Sequence, residues 1–373
     1  MLVIDPNARY RRDTQRAGFC DDPVQREAVK ILDTLYQRLT TTTTVTPLLQ
    51  RAWNRISGAP RKAETGVYLW GGVGRGKSHL MDAFYECLPF AEKQRVHFYR
   101  FMQQTHKALG TLKERSDPLE HIGRRLAKTT RVICFDEFFV SDITDAMILS
   151  GLLQSMFRHG VILVATSNLH PDDLYADGLQ RDRFLPAIEL IKQHNTVFHL
   201  DGGVDYRLTV LSRAETYHCP LDDAAEAILA TSFQQLAGCS DQPGRPEQSG
   251  HTIEVLGRTI PARALSDGIA WFEFRNICDG PRSHPDYVEL SHYLHTVLIG
   301  NVPTLDDDDN DAARRFIQLV DEFYDRSVNI IVSAAAPPDR LYRGTRLAEE
   351  FKRTASRLYE MQTDEYLARP HKP

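Results

Sequence analysis

One stretch constrains this chain more than any other: YLWGGVGRGKSHL, residues 68–80. Gly71, four further residues, then Gly76, Lys77 and Ser78 satisfy the pattern G-x-x-x-x-G-K-[ST]. The run GVYLW before it (66–70) predicts a strand and the residues after it predict a helix, which is the context a phosphate-binding loop requires. The chemistry comes from the residue types. Glycines let successive backbone N–H groups turn toward phosphate oxygens, Lys77 supplies a cation to the β- and γ-phosphates, and Ser78 can ligate Mg²⁺. Gly71, Gly72, Val73, Gly74, Arg75, Gly76, Lys77 and Ser78 are therefore the expected nucleotide-binding residues, with ATP and Mg²⁺ as ligands.

A second element lies 58 residues beyond Ser78, where RVICFDEF (131–138) places Asp136 and Glu137 at the end of an apolar strand. A carboxylate pair there can simply cap a helix. Beside a phosphate loop, Asp136 is expected to orient Mg²⁺ and its waters, and Glu137 to act as general base on the attacking water. A further apolar run, GVILVATSN (160–168), ends in Asn168, which can hold the lytic water or the γ-phosphate, or else cap a helix before HPDDLY. Beyond it, in GLQRDRFLPAIELI, stand Arg181 and Arg183. In AAA+ rings this stretch carries the arginine that reaches the neighbouring subunit's γ-phosphate. Arg181 is preferred here, Arg183 remains open, and either one makes hydrolysis depend on a homo-oligomer. Arg207, in DYRL just after the fifth strand, is a candidate sensor-2-like contact to the nucleotide.

Between these motifs the chain alternates. GVYLW, RVHFYRF (95–101), RVICFDEF, GVILVATSN and TVFHL (196–200) predict strands separated by helix-sized segments, the pattern of a parallel α/β sheet covered on both faces. Upstream, Val24, Ala28, Ile31, Leu32, Leu35 and Leu39 recur at helical spacing, and TTTTVTP (41–47) predicts a loop after them. The expected division is an N-terminal helical segment (1–60), an ATPase core (61–204), a helical, lid-like segment and linker (205–250), and a C-terminal α/β region (251–373). At 373 residues with a net charge of -5, the chain is long enough for two domains and carries no overall basic character that would advertise nucleic acid. Its longest apolar runs are strand-sized, so no membrane span is expected. The N-terminus carries no signal-like core, and six scattered cysteines form no C-x-x-C pair, which together predict a reducing, cytoplasmic setting. The acidic run 306–311 lacks calcium-loop spacing and reads as a surface loop.

Several runs together resemble one AAA+ family, that of the bacterial cell-division ATPase ZapE and its mitochondrial relatives of the AFG and LACE types. They are GVYLWGGVGRGKSHLMDAFYE, RVICFDEFFVSDITDAMIL, VATSNLHPDDLYADGLQRDRFLPAI, HLDGGVDYRL, FEFRNICDGPRSHPDY, RRFIQLVDEFYD and FKRTASRLYEMQTDEYL, spread from about residue 22 to about 366. The resemblance implies an ATPase that associates with the division ring and weakens FtsZ polymers. The mitochondrial branch implies membrane-protein quality control instead, and loader or initiator ATPases that act on DNA share the same motifs. Arg75 stands where a small residue is common in the family.

Finally, the C-terminal third echoes the core. VILVATSNLHPDDLY (161–175) lies on VNIIVSAAAPPDRLY (328–342) without gaps at an offset of 167, which Phe184 and Phe351 share. More loosely, RVICFDE matches TVLIGNV (296–302) and RVHFYRF matches AWFEFRN (270–276), setting Asp136 and Glu137 opposite Asn301 and Val302, and Asn168 opposite Ala335. The expectation is a degenerate half without nucleotide chemistry, although βα units also resemble one another through shared patterning alone.

Overall fold

The computed structural model describes residues 4–15, 21–45, 64–72, 75–112, 116–140, 142–176, 178–201, 211, 215–237, 251–266 and 268–372. The chain forms two compact units, residues 1–204 and 205–373.

The first unit opens with helices α1 (Pro6–Asp13) and α2 (Pro23–Val45). It continues with β1 (Gly66–Trp70), α3 (Lys77–Cys87), β2 (Lys93–His97), α4 (Phe98–Thr111), α5 (Pro118–Thr129) and β3 (Val132–Asp136). Then come α6 (Ile143–Arg158), β4 (Ile162–Ser167), α7 (Leu185–His194) and β5 (Asn195–His199). The five strands are parallel, in the order β2-β3-β4-β1-β5. The strand alternation decides how the faces are covered. Val67, Leu69, Val132, Cys134, Ile162 and Val164 pack on one face with residues of α1, α2 and α3. Tyr68, Ile133, Phe135, Leu163 and Ala165 pack on the other with residues of α4 to α7. This is the P-loop fold of AAA+ type that the sequence predicted, with β1, β3 and β4 side by side so that their carboxyl ends share one mouth.

Two boundaries differ from expectation. The run 95–101 is a strand only to His97, because Phe98, Phe101, Met102 and Thr105 are the buried stripe of α4 at helical spacing. An apolar run of that length fits either element until its neighbours choose. Thr41 to Thr44 and Val45 continue α2 rather than forming a loop, and residues 46–47 of the expected loop lie outside the described residues. Thr34 and Thr40, earlier in the same helix, donate their hydroxyls to the carbonyls of Lys30 and Tyr36 one turn back, a bond that lets threonine sit inside a helix.

The second unit contains β6 (Tyr217–His218), α8 (Asp223–Ala237), the hairpin β7–β8 (His251–Val255, Arg258–Ala262), β9 (Ala264–Ser266), β10 (Ile269–Glu273) and α9 (Phe274–Ile277). It ends with α10 (His284–Tyr293), β11 (Thr296–Val302), α11 (Asn310–Asp325), β12 (Asn329–Ala334), α12 (Ala348–Glu360) and α13 (Asp364–Leu367). Its sheet order is β6-β12-β11-β10-β9, with β9 antiparallel at the edge. The helix anticipated in a lid-like segment is α8. It packs instead on this sheet, where Leu229 and Phe233 meet Trp271, Leu298 and Ile331. The linker expected at 238–250 and the residue Arg207 lie outside the described residues. Among those residues no helix is long and apolar enough to cross a membrane.

Candidate nucleotide site

Two glycines of the loop between β1 and α3 are required by backbone geometry. Gly71 has φ 148° and Gly76 has φ 79°, regions that side chains disfavour. A Cβ at Gly71 would stand 2.5 Å from the Leu200 carbonyl oxygen, and one at Gly76 would stand 2.7 Å from Gln25 Nε2. Val73 and Gly74 lie outside the described residues. The strand ends hold the loop at both sides, since Gly71 N–H donates to Ser167 O and Leu200 N–H to Trp70 O. Gln25 of α2, buried and accepting from Tyr10 Oη, donates to the Arg75 carbonyl at 3.1 Å. The N-terminal helices thus fix the far end of the loop.

Lys77 is the first residue of α3 and is buried. Its ammonium donates to the carbonyls of Gly71 (2.8 Å) and Gly72 (2.7 Å) and to Asn168 Oδ1 (3.0 Å), which stands just beyond β4. The loop lysine and the expected sensor, 91 positions apart, therefore converge on one point. Ser78 Oγ donates to Asp136 Oδ1 at 2.8 Å. The Asp136 side chain is only 3% exposed. A hydroxyl beside a carboxylate is the hard-oxygen donor set that Mg²⁺ prefers, so these two residues fit the metal their motifs imply.

Glu137 comes next with φ 49°, a left-handed conformation that turns the chain sharply at the end of β3. Its carboxylate pairs with His97 Nε2 at 3.1 Å. Three groups that bear on the two acids gave no separate sequence signal. His97 and Arg95 come from β2, and Thr166 from β4, the two strands flanking β3. Arg95 Nη2 donates to Asp136 Oδ2 at 2.9 Å and also pairs with Asp82 of α3. Thr166 Oγ1 donates to Asp136 Oδ1 and accepts the Glu137 N–H at 3.1 Å. Polar residues in the carboxyl-terminal halves of strands are the signal that could have found them, but only strand order says which of them meet.

Thr166→Val keeps the shape and removes both bonds. A buried carboxylate then loses a donor, and the Glu137 N–H loses one of its two acceptors and keeps Asp136 Oδ1 at 3.2 Å, at a cost of about 1–3 kcal/mol. The expected outcome is a lower unfolding midpoint together with turnover reduced about tenfold. Unchanged turnover per folded chain would contradict the bridging role.

One guanidinium shared between two carboxylates leaves Asp82 short of compensation. Burial pushes its carboxyl up to about 6, partly countered by Arg95 and reinforced by nearby Asp136. The native state then binds this proton more tightly than the unfolded chain. The group's favourable contribution is therefore complete below about pH 4 and lost as pH rises through about 6. Asp82→Asn removes the titration. The stability of the wild type relative to this variant is expected to fall between pH 4 and 7, as read by urea unfolding; a flat difference would contradict the shift.

The expected trans-acting arginines lie in a 3₁₀ turn, Arg181–Arg183, ahead of α7. Arg181 Nη2 donates to the Asp172 carbonyl of its own chain, whereas Arg183 is exposed.

A sequence profile described as AFG1-like ATPase matches residues 4–370. The cell division protein ZapE of Escherichia coli K12 is 44% identical over 378 residues, covering 100% of this chain and 99% of that protein. Lactation elevated protein 1 homolog B of Danio rerio is 36% identical over 345 residues, covering 81% of this chain and 68% of that one. Among solved structures, that of DnaI aligns with a TM-score of 0.35 and 17% identity, over 52% of this chain and 92% of that one.

Proposed function

The chain belongs to the AFG1-like ATPase family, and from that premise we propose that it hydrolyses ATP at Lys77, Asp136 and Glu137 and uses the cycle to loosen a protein polymer. The observation that carries the chemical reading is the convergence of the Lys77 ammonium on the loop carbonyls and Asn168, beside the Ser78–Asp136 pair. When nucleotide enters, phosphate oxygens compete for the ammonium that the carbonyls now hold. Mg²⁺, held by Ser78 and Asp136, would neutralise charge on the β- and γ-phosphates. Glu137 takes a proton from the attacking water. That water's oxygen bonds to the γ-phosphorus as the bond to the bridging oxygen breaks, releasing ADP and phosphate. Asn168 orients the water or the γ-phosphate, a role supported by its contact with the Lys77 ammonium, and Thr166 and His97 hold the two acids through their bonds to Asp136 and Glu137.

Arg181 or Arg183 of a neighbouring copy completes the site in a homo-oligomer, so nucleotide state is felt at a subunit interface. The polymer we propose is FtsZ, in the cytoplasm at the division ring, in keeping with a relative named as a cell division protein. The test is sedimentation of FtsZ polymers with full-length protein and ATP. The wild type is expected to disperse polymers, and Glu137→Gln to pellet with them undispersed. Polymers untouched by a wild type that still hydrolyses ATP would exclude FtsZ as the target.

A further inference from the structure

The two units repeat one another in detail. Strand β4 (Ile162–Ser167) and the 3₁₀ turn Pro171–Asp173 recur as β12 (Asn329–Ala334) and the turn Pro338–Arg340, each displaced by 167 positions. Helix α6 (Ile143–Arg158) recurs as α11 (Asn310–Asp325) at the same displacement. Strands β2, β3, β4 and β1 correspond in order to β10, β11, β12 and β6, and all run parallel.

Individual bonds recur as well. Tyr68, paired with Ala165, donates its hydroxyl to the Leu169 carbonyl. Tyr217, paired with Val332, donates its hydroxyl to the Ala336 carbonyl. Glu137 N–H donates to Thr166 Oγ1, and Asn301 N–H donates to Ser333 Oγ. Glu137 (φ 49°) and Asn301 (φ 60°) are both left-handed. Contact of Glu137 with His97 is matched by a hydrogen bond from Asn301 to Glu273. Patterning shared by βα units explains strands and helices that look alike. It does not explain the same side chain–backbone bonds at the same registers.

The register also moves the sequence correspondence by one residue. Pairing His97 with Asp136 and Glu273 with Gly300 sets Asp136 opposite Gly300 and Glu137 opposite Asn301, rather than opposite Asn301 and Val302. The irregularity in β11 between Ile299 and Val302 hides this from an ungapped reading.

What recurs is scaffold, and what has changed is chemistry. Asp136, Glu137 and Asn168 correspond to Gly300, Asn301 and Ala335. A Cβ at Gly300 would stand 3.3 Å from Trp271 Nε1 and 3.6 Å from Glu273 Oε1, so a restored aspartate would meet occupied space. Trp271 takes the register of Arg95, and Arg263 lies over its ring while pairing with Glu226 of α8 and Glu273. The phosphate loop has gone too. Cys219 holds the register of Trp70, leaving Pro220, Leu221 and Asp222 before α8, where the first unit has residues 71–76 before α3. Pro220 has no N–H to offer, and Asp222 already accepts the Ala225 N–H. Asp223 and Glu226 add negative charge in the first turn, where a phosphate would need N–H groups. Neither lysine of this unit, Lys352 or Lys372, comes after a glycine.

We infer that residues 205–373 are a second P-loop unit whose nucleotide site has been closed by its own side chains, so that each chain takes up one nucleotide. The count of one rests on the ATPase reading of the first unit; the closure of the second does not. Equilibrium dialysis of the full-length protein against ADP with Mg²⁺ tests it. The wild type is expected to saturate at one ADP per chain and Lys77→Met at none, with thermal unfolding showing that the variant is folded. Saturation of the wild type at two ADP per chain would overturn the closure. No binding by the wild type would instead overturn the reading of the first unit, while a second unit without nucleotide would stand.

Discussion

Lys77→Met is expected to lower ATP turnover by about 100- to 1000-fold, the cost typical of removing one electrostatic donor from a developing phosphate charge. Methionine has much the same length and no charge, so the loop keeps its volume and loses its cation. The effect on folding is expected to be small, because two terms oppose each other. The variant leaves the carbonyls of Gly71 and Gly72 and the Asn168 amide without this donor. It also removes a buried ammonium, whose desolvation offsets much of what its hydrogen bonds gain. A large drop in both turnover and unfolding midpoint would mean that Lys77 serves the architecture of the loop rather than the phosphates.

Glu137→Gln separates chemistry from binding. Glutamine fills the same space, and its amide can still meet His97 Nε2, so the left-handed turn at position 137 keeps its packing. What it cannot do is accept the proton of the attacking water. Turnover is expected to fall by about 100- to 10,000-fold, the range attributed to general base catalysis. Affinity for ATP should stay within a fewfold of wild type, since Lys77, Ser78 and Asp136 are untouched. Measuring turnover and equilibrium binding on the same preparations checks both halves. Lost affinity would move Glu137 from the reaction to the binding of nucleotide.

The residues of the candidate site were legible in unequal measure. Lys77, Ser78 and Asp136 announce themselves because the motifs that carry them are matters of local spacing within one loop or one strand end. Arg95, His97 and Thr166 act on the same acids, yet their relevance comes from β2 and β4 flanking β3, a fact of sheet order that spacing does not encode. Gln25 is farther still, reaching the Arg75 carbonyl from a helix 50 positions upstream. The threonines after Leu39 misled because their preference for turns is overridden inside a helix anchored by Leu32, Leu35 and Leu39. The stretch 98–101 misled because so short a run of mostly aromatic residues fits either period, until Phe98, Phe101, Met102 and Thr105 are seen to share one buried helix face. The echo between 161–175 and 328–342 was readable because that stretch repeats without gaps. Its upstream register was not, because β11 carries an irregularity that no pattern reveals.

The most direct test of the account asks what nucleotide remains on the protein. Full-length wild type and Glu137→Gln are mixed in excess over ATP with Mg²⁺, quenched in acid over time, and their bound nucleotide is separated. The account predicts that wild-type protein converts its bound ATP to ADP while Glu137→Gln still holds ATP long after. ADP appearing on both at the same rate would contradict it, because the base would then lie elsewhere.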